Sequence, residues 1–282
     1  MPSDMNGANS SMRVFLCTAC STSYPEAQTP PARCPICEDE RQYIPASGQS
    51  WIRREALAET RRNAWRQHEA GLWSIQTVPA FAIDQRAFLL RTPGGNVLWD
   101  CIALLDPATE ALVQAMGGVA AIAISHPHYY STMQDWAAAF NAPVYVHATD
   151  REWVMRPSPG IRFWESETLE IAPGAKLIRA GGHFAGGTVL HWADTADGAG
   201  ALLSGDIVQV APGGKRVSFL WSYPNMMPLP AAEVKRLAAC LAPWKYDRIY
   251  GAFTGREVLG GGPGIVAASA ARYVALLEAP PN

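Results

Sequence analysis

Residues 124–136 read ISHPHYYSTMQDW, and the apolar run "GVAAIAIS" leads into them from residue 118. A strand that stops at His126 and His128 delivers two imidazoles from a loop at its carboxyl end, a usual place for chemistry in α/β proteins. Further along, "AGGHFAGG" puts His183 in a glycine-rich turn after a strand, and "LLSGDIV" puts Asp206 just past another apolar strand and a glycine. Three histidines and a carboxylate, each at a strand-to-loop junction, are a donor set for zinc or a similar divalent ion. The residues around them alternate short strands with helices: the hairpin "AFLLRT"–"NVLWDC", a helix at "PATEALVQAM", a second at "TMQDWAAAF" and the strand "PVYVHA". A second set runs "ETLEIA", "AKLIRA", "GTVLHWA" and "GALLSGDIV", then a helix at "PAAEVKRLAACLA", the strand "YDRIYGAF" and a closing helix from "GIVAASAARY". Two successive sets of this kind predict two sheets between helical layers.

The order of these signals, a histidine loop, then a G-H turn, then a G-D after an apolar strand, resembles the metallo-β-lactamase fold superfamily over roughly residues 72 to 275. The resemblance implies an α/β protein with an αββα sandwich and a metal site at one edge of its two sheets. It implies that His126, His128 and His183 bind one metal, with Asp206 at or between the metal positions and Asp100 of "VLWDC" in a supporting role. The sequence also departs from the family's H-x-H-x-D-H loop. Tyr130 and Ser131 stand where the family has Asp and His, and Ala252 or Phe253 stands where its last histidine falls. A second ion held by Asp206 alone lacks the coordination it requires, so a single metal is expected. The chemistry implied is hydrolysis of an ester, thioester, lactone or related bond in a small-molecule substrate by one zinc and its activated water. Asp206 would handle the proton, and Tyr129 or Tyr130 would act beside it as acid or hydrogen-bond donor. The alternative is a catalytically degenerate metal- or ligand-binding protein. The superfamily's iron-pair redox branch needs extra carboxylates in the loop, and "HPHYYS" has none.

Four of the six cysteines fall in two C-x2-C knuckles, Cys17/Cys20 and Cys34/Cys37, with 13 residues between the pairs. Each knuckle aims two thiolates at one ion, which predicts a structural zinc. "CPIC" is similar to a rubredoxin knuckle, so iron is the other ion for this site, and iron is also an option in the histidine site. A closed four-sulfur site has no open position for substrate, which makes the module a structural element or a docking surface for a protein partner. Cys101 and Cys240 read as packing residues.

The expected organisation is a four-cysteine zinc-ribbon or rubredoxin-like module over 1–48, a linking helix over 49–71 and the metallo-β-lactamase-like domain over 72–282. His68 near the end of that helix reads as a surface or capping residue. In "STMQ", Ser131 and Gln134 read as a capping box for the following helix, and Thr132 with Asp135 offers the same pattern one residue later. His147 reads as a core or supporting residue, and His191 as a partner for the outer nitrogen of a ligand. The long Pro-broken segment "VAPGGKRVSFLWSYPNMMPLP" predicts a binding loop, with Trp221, Tyr223, Asn225 and Met226 as pocket wall and Arg256 as the anchor for an anionic group. The chain is 282 residues with 49% hydrophobic and 17% charged residues and a formal net charge of -2, a globular composition that makes neither nucleic acid nor membrane the expected partner. With no basic-then-apolar leader, a cytoplasmic protein is expected.

Overall fold

The computed structural model describes residues 12–280. The first elements are short: β1 (Phe15–Cys17), the turn of helix α1 (Pro35–Glu38), β2 (Trp51–Arg53) and α2 (Arg54–Thr60), with β1 pairing antiparallel to β2. Two small apolar clusters hold these elements: the four cysteines with Tyr24 and Ile36, and Val14, Leu16 and Leu57, which pack on Ala103 and Leu104 of the following domain.

A seven-stranded sheet follows in chain order: β3 (Arg62–Glu69), β4 (Leu72–Val78), β5 (Ala87–Thr92), β6 (Gly95–Trp99), β7 (Ala121–Ala123), β8 (Val144–His147) and β9 (Ile161–Trp164). The first four strands are antiparallel and the last four parallel, because α3 (Pro107–Ala115) and α4 (Met133–Phe140) make crossovers on one face. The second sheet contains β10 (Thr168–Ala172), β11 (Ala175–Arg179), β12 (Thr188–Trp192) and β13 (Ala201–Gly205). Two small hairpins follow, β14 (Gln209–Val210) with β15 (Val217–Ser218) and β16 (Leu220–Ser222) with β17 (Met227–Pro228). Helix α5 (Ala231–Leu241) then carries the chain to β18 (Arg248–Gly251), parallel to β13, and β19 (Glu257–Val258) and α6 (Gly262–Glu278) complete the fold.

Strand alternation builds three apolar layers. In β5, Phe88 and Leu90 face the second sheet and pack with Leu177, Leu190, Trp192 and Leu203, while Leu89 faces α3 and α4 with Leu98, Ile122 and Trp136. On the far side Ile178, Val189, Leu202 and Ile249 pack on Val234, Leu237 and Val266 of the two last helices. The architecture is the expected αββα sandwich.

The expected helix over 49–71 is corrected. It stops at Thr60, and Arg62–Glu69 is an edge strand paired with β4 from Arg62↔Val78 to Glu69↔Leu72. Trp65 packs on the core while Arg62 and Arg66 point to solvent, a charged edge that discourages pairing with other chains. His68 is accordingly a strand residue, bonded to Ser74 Oγ at 2.9 Å and packed on Phe88 and Tyr250. Among the described residues no helix is long and apolar enough to cross a membrane.

Candidate metal centre

β7 ends at Ala123, and the chain turns through Ser125 into a 3₁₀ turn at Pro127–Tyr129 that carries His126 and His128 to one point. Asp206 arrives from the end of β13. Gly205 before it has φ +51°, and a Cβ there would lie 2.5 Å from Ser125 Oγ, so only glycine lets this strand end close on the histidine loop. His183 comes from the loop between β11 and β12, where the Ser125 carbonyl accepts a 2.9 Å bond from the Thr188 amide. All four side chains are buried, and one donor atom from each lies within 4.8 Å of all the others.

The protonation states suit a cation. The Trp221 carbonyl can only accept, so its 2.7 Å contact places the His183 proton on Nδ1 and turns the Nε2 lone pair inward. His126 Nδ1 is bonded to Ser125 Oγ at 2.9 Å, and its Nε2, 3.8 Å from Asp206 Oδ2, has no hydrogen-bond partner. His128 presents Nδ1, 3.2 Å from His183 Nε2. That spacing is close to the roughly 3.3 Å edge of a tetrahedron of nitrogens about 2.0 Å from a central zinc. Burial holds His126 and His128 well below the usual imidazole range and His183 down to about 4, so all three are neutral ligands at pH 7. Burial also raises Asp206 to about 7, with Tyr129 opposing the rise. A buried carboxylate that resists ionisation and an orphaned imidazole nitrogen beside it are what a missing positive charge explains. The residues fit a divalent ion.

Tyr129 and Tyr130 separate cleanly. The Tyr129 ring packs 4.3 Å from His126, its hydroxyl is buried without a hydrogen-bond partner, and burial together with the Asp206 charge it faces keeps it protonated. Tyr130 is turned away, its hydroxyl 3.4 Å from the Asp150 carbonyl that accepts from it, so the expected role for it at the centre is not supported by its position. Asp100, with φ +59°, accepts the Ser125 N–H at 2.7 Å and supports the histidine loop, as the resemblance implied; burial lifts it to about 8.

Of the expected pocket residues, Tyr223 and Arg256 border a narrow cavity of about 10 Å³ beside Asp206, together with Gln209, Ala252 and Phe253. That is room for about one water. Phe253 stacks with Tyr223 at 6.0 Å across its mouth. Trp221 contributes its carbonyl to His183, while its ring lies on the other side, near Arg41. Asn225 is not a pocket contact: its amide donates to the carbonyls of Glu40 at 3.0 Å and Gln42 at 3.2 Å. Met226 is 81% exposed and points away from the centre.

The capping box expected at Ser131 is absent. Thr132 is the cap residue and makes no side-chain cap bond; its hydroxyl donates instead to the Ile102 carbonyl. Ser131, at φ +41°, accepts from Ser21 Oγ at 2.9 Å through its hydroxyl and from the Ser23 amide at 3.0 Å through its carbonyl. His147 caps its own turn through Thr149, and His191 bonds the Lys245 carbonyl at 2.7 Å, remote from any ligand nitrogen. Cys240 is only half-buried.

In the N-terminal module Cys17 Sγ lies 3.6 Å from Cys37 Sγ and Cys20 Sγ 3.6 Å from Cys34 Sγ, with all four sulfurs buried and within 4.8 Å. A tetrahedron of sulfurs about 2.3 Å from zinc has edges of roughly 3.8 Å, so this set also fits an ion. Arg41, four residues past Cys37, belongs to no sequence motif. Its guanidinium lies 3.7 Å over the Phe184 ring and donates to the His183 carbonyl at 3.3 Å.

Sandwich, strand-end donors and G-D turn together define a metallo-β-lactamase fold. The same fold is found in the mono-zinc form of the metallo-β-lactamase FIM-1 from Pseudomonas aeruginosa, with a TM-score of 0.55 and 14% identity over 75% of this chain and 96% of that one. Within that fold the chain belongs to the family of the uncharacterized protein YmaE of Bacillus subtilis (strain 168), to which it is 47% identical over 95% of its own length and 98% of the relative's. It is also 26% identical to a UPF0173 metal-dependent hydrolase of Polaromonas sp. (strain JS666 / ATCC BAA-500), over 57% of this chain and 58% of that protein. No family model matches the chain.

Proposed function

We propose that the protein is a metal-dependent hydrolase of small-molecule esters, thioesters, lactones or related bonds, with one ion, zinc in preference to iron, held by His126, His128 and His183 with Asp206 at its edge. The observation that carries this reading is the convergence of three neutral imidazoles and a carboxylate raised to about 7 on one buried point. These residues would hold a Zn²⁺ ion, which would supply Lewis-acid polarisation and lower the pKa of water toward neutrality. Asp206 borders the cavity that has room for about one water, so its carboxylate would be the proton acceptor for a water there. The Tyr129 hydroxyl faces Asp206 and favours its ionised form. Arg256 and the Tyr223–Phe253 pair stand where an acyl group enters, and the arginine favours substrates with an anionic end.

Support for a single ion comes from the residues at the family's other ligand positions. Tyr130 is bonded elsewhere, Ser131 is spent on the cysteine module, and Ala252 is apolar and buried. The narrow cavity supports the second reading, a binding protein without turnover whose cysteine module docks a partner. A panel of p-nitrophenyl esters, thioesters and lactones decides between them. Turnover by zinc-loaded protein, lost in His128→Ala, supports the hydrolase; a panel unhydrolysed by protein shown to hold the ion sinks it.

A further inference from the structure

Each cysteine knuckle grips one of the two loops that present the histidines. The first knuckle does so through Ser21 and Ser23, one and three residues past Cys20, which bond the hydroxyl and carbonyl of Ser131, three residues past His128. The second does so through Arg41. This guanidinium is held by both oxygens of Asp39, at 2.6 and 2.9 Å, stacks on Phe184 and donates to the His183 carbonyl. Ser222 Oγ and Asn225 Nδ2 in turn donate to carbonyls of the 40–42 segment, from the loop whose Trp221 carbonyl holds His183. The His183 turn is glycine-rich, with Gly181 and Gly182 at positive φ; the Ala180 and Gly181 amides close its base on the Gly187 carbonyl, and Arg41 holds its tip at the His183 carbonyl. The knuckles depend on an ion in turn: Val14, Leu16 and Leu57 anchor the module's other side on Ala103 and Leu104, but the buried cluster around the knuckles is the four cysteines, Tyr24 and Ile36, so an ion is what joins Cys17/Cys20 to Cys34/Cys37.

We propose that the ion held by the four cysteines clamps the histidine centre: by joining the knuckles it fixes the distance between the His126/His128 loop and the His183 turn. Filling the sulfur site therefore raises the affinity of the histidine site for its own ion. Arg41 is the positioning residue on one side and Ser131 on the other. The two affinities are linked reciprocally. The inference rests on the reading that His126, His128, His183 and Asp206 hold an ion.

The test uses full-length protein with zinc retained at the cysteines and the histidine site emptied by a mild chelator, titrated with Co²⁺. The visible d–d bands of a nitrogen and oxygen site report binding without any turnover. Arg41→Ala keeps one zinc per chain and weakens Co²⁺ binding about tenfold to a hundredfold, the usual cost of losing a group that orients a ligand. Arg41→Lys recovers part of that loss, because an ammonium keeps the charge but not the flat stacking surface. Cys37→Ser, which releases the zinc, weakens Co²⁺ binding at least as much while far-UV circular dichroism shows the sandwich intact. Arg41→Ala within twofold of the parent overturns the clamp, whether or not the cysteine variant folds. A parent that takes up no Co²⁺ with such bands overturns both the clamp and the reading beneath it.

Discussion

Asp100 offers the sharpest perturbation, because its charge and its geometry pull in different directions. The side chain is buried, sits at φ +59°, and accepts the Ser125 N–H at 2.7 Å, immediately before the first histidine. Asp100→Ala leaves that amide buried without an acceptor, which costs about 1–3 kcal/mol. It also puts alanine into a left-handed conformation that aspartate tolerates better, for roughly another 1 kcal/mol. The sum is about 3 kcal/mol. Asp100→Asn keeps the acceptor and the backbone preference and removes only a charge that burial already suppresses, with the carboxyl raised to about 8; its cost is under about 1 kcal/mol. Urea unfolding of metal-loaded protein at pH 7 measures both. If Asn proves as damaging as Ala, the carboxylate charge is what matters and the argument from hydrogen bonding and backbone is wrong. The same follows if Ala costs less than about 1 kcal/mol.

Further outcomes follow from the same geometry. Tyr129→Phe removes the hydroxyl that faces Asp206 and holds its pKa down, so the acid limb of a pH–rate profile moves to higher pH and kcat falls about tenfold with the fold unchanged; an unmoved limb refutes the contact. Without the histidine-site ion, Asp206 at about 7 and Asp100 at about 8 hold their protons more tightly folded than unfolded, where they titrate near 3.8, so their contribution is whole below that value and is lost as pH rises through 7 and 8. The lowered histidines act oppositely, but their gain is complete by about pH 6.5. Between pH 6.5 and 8 the metal-free protein therefore loses stability, at up to about 1.4 kcal/mol per proton per pH unit, and the zinc-loaded protein does not; denaturation midpoints that stay level without metal contradict this. Phe253→Ala opens the cavity beside Asp206 and lowers KM for bulkier esters more than for acetate esters, an effect read from paired kinetics across an acyl series.

Much of the sandwich was legible because most of its strands are short apolar runs bounded by turn residues, and α3, α4 and α5 each carry one apolar face. The four donors of the centre were visible for the same reason: chemistry placed at strand ends leaves a local mark. The strand Arg62–Glu69 was not legible, since an arginine-rich edge strand with one buried aromatic has the composition of a solvated helix, and only its pairing with Leu72–Val78 shows its periodicity of two. Ser131 has the sequence signature of a cap, but a serine three residues before a glutamine looks the same whether it caps a helix or meets Ser21, 110 residues away. Arg41 gave no signal at all. Its partners, Asp39 apart, lie about 140 residues distant, and docking between modules has no period along the chain. Asn225, bonded to the Glu40 and Gln42 carbonyls, is hidden in the sequence for the same reason.

Central to the account is a histidine centre that holds an ion distinct from the one on the cysteines, and metal content per chain measures it most directly. Elemental analysis of the purified protein and of a His126→Ala, His183→Ala variant, each dialysed against the same zinc buffer, should give two ions per chain falling to one, with the four sulfurs retaining theirs. One ion per chain in both proteins would contradict the account.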